Sequence, residues 1–82
     1  MKLTLWNLPE SVSDADIRAL LTPHIPENSI GPVHIVPDED PKHALAVVDL
    51  ELDAFAAGGL ALELDGKWHA GAFLRAHVLN HP

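Results

Sequence analysis

The sequence predicts a small α+β domain in which two helices cover one face of a four-stranded antiparallel sheet. Four segments carry the alternating apolar pattern of β-strands, and two carry apolar residues at helical spacing. These segments follow one another as strand, helix, strand, strand, helix, strand. A hydrophobic content of 48% over 82 residues is typical of a folded chain.

The strands are identified from apolar residues that recur at every second position, which places them on one face. The third predicted strand is apolar on both faces, and this indicates a central position in the sheet. In chain order the predicted strands are residues 2–6, 33–36, 44–50 and 73–78.

The first helix is predicted to begin after Ser13, whose hydroxyl can cap the free amide groups of the first turn. Asp14 and Asp16 suit the positive end of the helix dipole. Two prolines, Pro23 and Pro26, end the helix. Its apolar stripe consists of Ile17, Leu20 and Leu21.

The second helix is predicted over residues 52–64 and ends at Asp65-Gly66. Two adjacent glycines at positions 58 and 59 lie inside it, and each is unfavourable in a helix. They predict either a break in the helix or a neighbouring backbone that packs closely. The predicted buried stripe consists of Phe55, Leu60 and Leu64.

Two split crossovers of the usual right hand join these elements into one sheet of strand order 4-1-3-2. Both helices then lie on the same face, which is the ferredoxin-like βαββαβ sandwich. The other face of the sheet, the open face, is left uncovered. A single domain spanning residues 1–80 accounts for the whole pattern.

Residues 3–9 and 43–50 resemble the two signature strands of the RNA recognition motif (RRM) family in order, spacing and alternation. The similarity extends over nearly the whole chain, through residues 13–18, 33–38, 64–67 and 71–76. The resemblance implies an RNA-binding module that holds single-stranded RNA on the open face. In that family, bases stack there on aromatic side chains.

The three positions that carry stacking aromatics in the family are occupied here by Thr4, Leu45 and Val47. None has a ring, and each stacked base contributes about 1–3 kcal/mol. His43 stands where a basic residue often begins the second signature strand. The resemblance therefore implies weak or atypical RNA binding by a divergent RRM.

Other residues of the open face offer a displaced platform. Trp6 and Phe73 lie on adjacent predicted strands and are candidates to stack a base in a shifted register, with Arg75 contacting a phosphate or a base. The predicted RNA-binding residues are Thr4, Trp6, His43, Leu45, Val47, Phe73, Arg75 and His77.

The same face also suits contact with protein. Val36, Leu45 and Val47 form an apolar strip that would fit a sheet-to-sheet homodimer or a partner helix. RNA binding ranks first because of the resemblance, and a protein-interaction or homodimerisation module that kept the fold is the open alternative. Trp68, just before the last strand, is expected to anchor its loop.

Charge argues against tight binding to a phosphate backbone. Five Lys and Arg against twelve Asp and Glu give a formal net charge of -7. Protonation of all six histidines would bring it to -1, so binding of a polyanion should strengthen at mildly acidic pH.

Several chemistries find no support. The chain has no cysteine, which excludes disulfides and thiolate metal sites. It has no nucleophile–base pattern and no glycine-rich phosphate loop. We therefore expect no enzymatic activity, no cofactor and no metal. No apolar run reaches membrane length, and a cytoplasmic protein is expected.

Overall fold

The computed structural model describes residues 1–79. The end of the predicted domain at residue 80 lies outside these described residues. The strands and helices are β1 (Lys2–Pro9), α1 (Asp14–Leu21), β2 (Ile30–Pro37), β3 (His43–Leu50), α2 (Ala54–Leu64), β4 (Trp68–His69), β5 (Ala72–Phe73) and β6 (Arg75–Leu79), with one 3-10 turn at Glu27–Ser29.

Four strands form one antiparallel sheet in the order β2-β3-β1-β6. This order confirms the predicted 4-1-3-2 arrangement, because β6 is the fourth strand of the sheet. β4 and β5 form a separate two-stranded sheet. None of the helices in residues 1–79 is long and apolar enough to cross a membrane.

The predicted fourth strand over residues 73–78 is wrong at its start. Phe73 belongs to β5, and only Arg75–Leu79 pair with β1. The reason is the connection between Lys67 and Leu74: the Leu74 amide donates to the Lys67 carbonyl at 2.8 Å. Positive φ angles at Ala70 and Gly71 turn the chain back between β4 and β5.

Both helices pack on the same face of the sheet, because their buried residues share one core cluster with alternate residues of the strands. The other face remains uncovered by any helix, as predicted. The largest fully buried side chains are Leu3, Leu5, Leu8, Ile17, Leu21, Val48, Leu64 and Leu74.

The N-terminus of α1 is held by a reciprocal cap. The Ser13 hydroxyl accepts a hydrogen bond from the Asp16 amide at 3.1 Å, and the Asp16 carboxylate accepts one from the Ser13 amide at 2.9 Å. Such a cap contributes about 1 kcal/mol. Further along, Arg18 forms an ion pair with Asp14 at 2.6 Å and donates to the Gly31 carbonyl at 3.0 Å, which ties α1 to β2.

α2 is shorter than predicted, and its phase is different. Asp53 caps it by accepting a hydrogen bond from the Ala56 amide at 2.8 Å, so the helix begins at Ala54. Phe55 is 93% exposed, and the prediction that it is buried is wrong. The buried stripe consists of Ala57, Leu60, Ala61 and Leu64, of which only Leu60 and Leu64 were predicted.

The two glycines of α2 cause neither of the predicted effects. The helix runs through Gly58 and Gly59 without a break. A Cβ atom placed on either glycine would meet no atom of residues 1–79 within 4 Å, so no backbone within that range packs against them. Each glycine costs about 1 kcal/mol of helix stability relative to alanine.

Candidate nucleic-acid interface

Alternate residues of the four strands of the sheet form the open face. One row across it consists of His34 on β2, Val47 on β3, Thr4 on β1 and His77 on β6. Thr4 is only 7% exposed between its register partners Val47 and His77. The predicted site residue at the centre of this row therefore offers little surface to a ligand.

The next row carries the larger side chains. Val36 lies opposite Leu45, and Trp6 lies opposite Arg75. Val36 is exposed, and Leu45 and Trp6 are half-buried. This row is aliphatic on β2 and β3, but aromatic and charged on β1 and β6.

A bulge in β1 determines where Trp6 points. The register with β3 shifts by one residue between Leu5 and Leu8, and Asn7 has a φ of 64°. The bulge takes up one residue, so Trp6 stays on the open face while Leu8 returns to the core. The Asn7 side-chain amide donates to the Phe73 carbonyl at 3.0 Å, which joins the bulge to β5. β1 consequently continues to Pro9, beyond the predicted end of this strand at residue 6.

A shallow groove lies beside this bulge, at the β1–β6 side of the open face. It brings together Trp6, Arg75 and His77, three of the predicted RNA-binding residues. The residues that line this β1–β6 groove are Trp6, Asn7, Asp65, Arg75, Ala76 and His77.

Asp65, at the end of α2, closes the outer edge of the groove. Its carboxylate accepts hydrogen bonds from the Ala76 amide at 3.0 Å and from Arg75 Nε at 3.2 Å. The hydrogen bond from Ala76, followed by that from Arg75, lowers the pKa of Asp65. Arg75 is therefore held at the groove as half of an ion pair, and sequence analysis did not identify its partner.

His43 lies apart from the groove. It pairs with Pro9 in the sheet register, and its Nδ1 lies 3.1 Å from a carboxylate oxygen of Asp40. The pKa of Asp40 is lowered, first by the hydrogen bond from the Lys42 amide and then by His43. The structure thus separates His43 from Trp6, Arg75 and His77.

The aliphatic half of the open face consists of Val36, Leu45 and Val47. These side chains lie on the adjacent strands β2 and β3. Beyond Val47, Asp49 forms a cross-strand ion pair with Lys2 at 3.1 Å. Two of the predicted site residues, Leu45 and Val47, belong to this aliphatic half and not to the groove.

Phe73 does not lie on the strand beside Trp6, as predicted, but belongs to β5. Its ring packs edge-on against Trp68, with 4.9 Å between centroids and 72° between planes. Trp68 is 61% exposed and Phe73 is 60% exposed, so this aromatic pair contacts solvent on the β4–β5 hairpin. Sequence analysis missed the pair. A signal was present, because the residues flank the Ala70-Gly71 turn at positions that a hairpin would align.

Most of the cationic groups are already paired. Lys2, Arg18 and Arg75 each form an ion pair with a carboxylate. Within residues 1–79, Lys42 and Lys67 have no carboxylate within ion-pair distance. In the same part of the chain, no group of three or more histidine or acidic side chains could hold a metal ion.

No protein-family model matches this chain, and no curated protein matches it in sequence. Solved structures do match it in fold. The structure of the third RRM of Pes4 has a TM-score of 0.78 at 15% identity and covers 99% of this chain and 93% of that one. The Rna15 RRM with bound RNA (GU) has a TM-score of 0.74 at 15% identity, covering 98% and 83%.

A third similar structure contains RNA recognition domains 1 and 2 of Sex-lethal from Drosophila melanogaster. Its TM-score is 0.73 at 20% identity, and the match covers 98% of this chain and 50% of that one. Identities this low establish the architecture and leave the site chemistry to the residues of this chain. The fold is therefore that of an RNA recognition motif, in agreement with the resemblance noted from the sequence.

Proposed function

We propose that this domain binds single-stranded RNA weakly, through the β1–β6 groove and not through the centre of the sheet. The observation that carries the proposal is the position of Trp6, half-buried in a groove beside Arg75 and His77. A tryptophan can stack a base, and the guanidinium of Arg75 can contact a phosphate or a second base.

The structural neighbours support this assignment by analogy. The Rna15 RRM was solved with bound RNA (GU), and that RRM shares the architecture of this chain. Analogy of fold alone does not give a site, because one fold hosts many functions. The chemistry of the groove therefore carries the proposal.

The expected affinity is low for two reasons. Thr4, Leu45 and Val47 provide no ring at the three central positions, where each stacked base would contribute about 1–3 kcal/mol. Few cations are free to contact phosphates. With about two or three phosphates contacted, the logarithm of the affinity should fall with the logarithm of salt concentration at a slope of about -2.

The test is an NMR titration of the labelled domain with pools of short single-stranded RNA, at low salt and pH about 6.5. We expect shifts at the Trp6 indole and at the amides of Arg75 and His77. The same sequences annealed into duplexes should produce smaller shifts, because paired bases cannot stack on a side chain. Absence of shifts, or shifts confined to the aliphatic half, would contradict the proposal.

The second candidate function is protein interaction or homodimerisation through the aliphatic half. The observation that favours it is that Val36 is exposed beside the half-exposed Leu45 and Val47, on two paired strands. Such a function predicts a concentration-dependent dimer in sedimentation that Leu45→Glu abolishes. Phe55→Glu, an equal charge change at an exposed apolar residue of α2, serves as the matched control and should leave this dimer intact.

A further inference from the structure

The outward surface of α2 is apolar, although nothing in the described residues covers it. Leu62 is 81% exposed, and Phe55 is exposed almost completely. The two residues are seven positions apart, so they lie on one side of the helix, about 10 Å apart along its axis. The opposite side of α2 is already packed in the core. A helix that is apolar all round is normally covered on every side.

Gly58 and Gly59 leave a depression between these two side chains. We call Phe55, Gly58, Gly59 and Leu62 the α2 outer face. After proline, glycine is the least favourable residue in a helix interior, and no contact within the domain requires it here. Because Gly58 and Gly59 have no side chains, another chain can approach the helix backbone closely at this point.

The charges around this face indicate what kind of chain would cover it. Residues 51–66 contain four acidic residues and no lysine or arginine. Glu51 and Asp53 lie at the N-terminal end of α2, and Glu63 lies near its C-terminal end, 3.2 Å from His24 Nδ1. A second copy would bring two such acidic rims together, in addition to a net charge of -7 on each chain.

We propose that the α2 outer face docks an amphipathic helix of a partner protein, whose apolar stripe is flanked by lysine or arginine. A large apolar side chain of the partner would insert over Gly58 and Gly59 between Phe55 and Leu62. The basic flanks would then lie against the acidic rim. Because α2 packs on the side of the sheet away from the open face, this partner would not compete with RNA.

Three synthetic peptides of about 18 residues test the proposal, since shorter helices are marginal in water. They share one apolar stripe of leucines and carry lysine, glutamine or glutamate at the flanking positions. In an NMR titration of the whole labelled domain, we expect the lysine peptide to shift Phe55, Gly58, Gly59 and Leu62. Its affinity should exceed that of the glutamate peptide about tenfold or more at low salt. A fourth peptide, with lysine flanks and alanines in the stripe, measures attraction by charge alone and should not shift these residues.

Variants locate the contact. The double variant Phe55→Ser with Leu62→Ser should lose the peptide without unfolding, because both side chains are exposed. Gly59→Leu fills the depression, because a Cβ atom at this position meets no atom of residues 1–79 within 4 Å. Leucine is more favourable than glycine in a helix, so this variant should keep or raise the melting temperature while weakening the peptide. Val36→Ser, on the open face, is the matched control and should bind normally.

Loss of peptide docking at α2 can be distinguished from loss of RNA binding at the β1–β6 groove. RNA titration of the Phe55→Ser and Leu62→Ser double variant should give parental shifts at Trp6. Absence of shifts with every leucine-stripe peptide, or equal affinity for the lysine and glutamate peptides, would overturn the docking proposal. Shifts at Phe55 and Leu62 that depend on the concentration of the domain alone would also overturn it, in favour of a second copy.

Discussion

The two halves of the open face follow the same strand alternation but differ in chemistry. On β2 and β3 the alternation yields Val36, Leu45 and Val47, an aliphatic surface. On β1 and β6 it yields Trp6 and Arg75 beside a bulge. The difference shows that the alternation determines which residues face outward, while local irregularities determine which of them form a groove.

Contacts from α2 and from the β4–β5 hairpin make the groove half more polar than the aliphatic half. Asp65, from the end of α2, reaches the outer edge of β6 and fixes Arg75. Asn7, in the bulge, ties β1 to the β4–β5 hairpin. The groove therefore has polar groups on two sides.

The largest expected effect is the difference in RNA affinity between alanine substitutions of Trp6, in the groove half, and Leu45, in the aliphatic half. Trp6→Ala should lower the affinity for single-stranded RNA by about 10- to 100-fold, because one stacked base is worth about 1–3 kcal/mol. Leu45→Ala, a truncation at the directly neighbouring position, should leave the affinity nearly unchanged. Fluorescence anisotropy with a labelled RNA measures both. A larger loss of affinity in Leu45→Ala than in Trp6→Ala would place RNA binding on the aliphatic half instead of the groove.

The bulge in β1, which distinguishes the groove half from the aliphatic half, should show the next largest effect. Asn7→Ala should destabilise the domain by about 1–2 kcal/mol, because alanine disfavours the left-handed conformation and the hydrogen bond to Phe73 is lost. Asn7→Gly keeps the backbone conformation and should cost less. Urea denaturation of both variants gives the ranking. Equal losses would assign the whole effect to the hydrogen bond.

Arg75 supplies the positive charge of the groove half, and its contribution to RNA binding can be measured separately. Arg75→Gln should reduce the salt slope of RNA binding by about 0.7, the amount expected for one phosphate on a single strand. Lys42→Gln removes an unpaired cation outside the groove and should change the slope less. The two variants are compared over a series of salt concentrations. An unchanged slope in Arg75→Gln would mean that its ion pair with Asp65 persists in the complex.

The smallest effect concerns Asp65 and pH. The lowered pKa of this carboxyl means that its charged form is favoured in the folded state, so the stabilisation is present above the ordinary pKa of 3.8 and is lost as pH falls through the lower folded value. Asp65→Asn should therefore lower the melting temperature slightly at pH 7, and the gap to the parent should close under acidic conditions. Glu39→Gln, at an exposed acid of the β2–β3 turn, is the control. A gap that stays constant with pH would contradict this role.

The helix α2 shows where prediction from sequence fails. Leu60 and Leu64 were correctly placed in the core, but an apolar stripe through them can include either Phe55 or the alanines at 57 and 61. Alanines allow the helix to approach the sheet closely, and this packing turned Phe55 outward. A helix that is apolar on every side contains no polar face from which its orientation could be read.

The β4–β5 hairpin shows a second limit. The alternation from Phe73 to Val78 is real, but Leu74 makes its hydrogen bonds with Lys67 and Gly66 instead of with β1. The spacing of apolar residues does not show whether residues 73 and 74 pair with β1 or with the nearby segment at 66–68. The predicted placement of Trp6 and Phe73 on adjacent strands of the sheet therefore does not match the structure. The placement of Trp6 opposite Arg75 required only the register of β6.

The amino-acid sequence alone was sufficient to predict the order of the two helices and the four strands of the main sheet, the Ser13 cap and the face of most strand residues. These features follow from local periodicity and from short-range hydrogen bonds. The contact of Asp65 with Arg75, the contact of Trp68 with Phe73 and the outward position of Phe55 became evident from the three-dimensional packing. These contacts depend on how α2 and the hairpin pack against the sheet. They join residues whose relation the period of a single strand or helix does not specify.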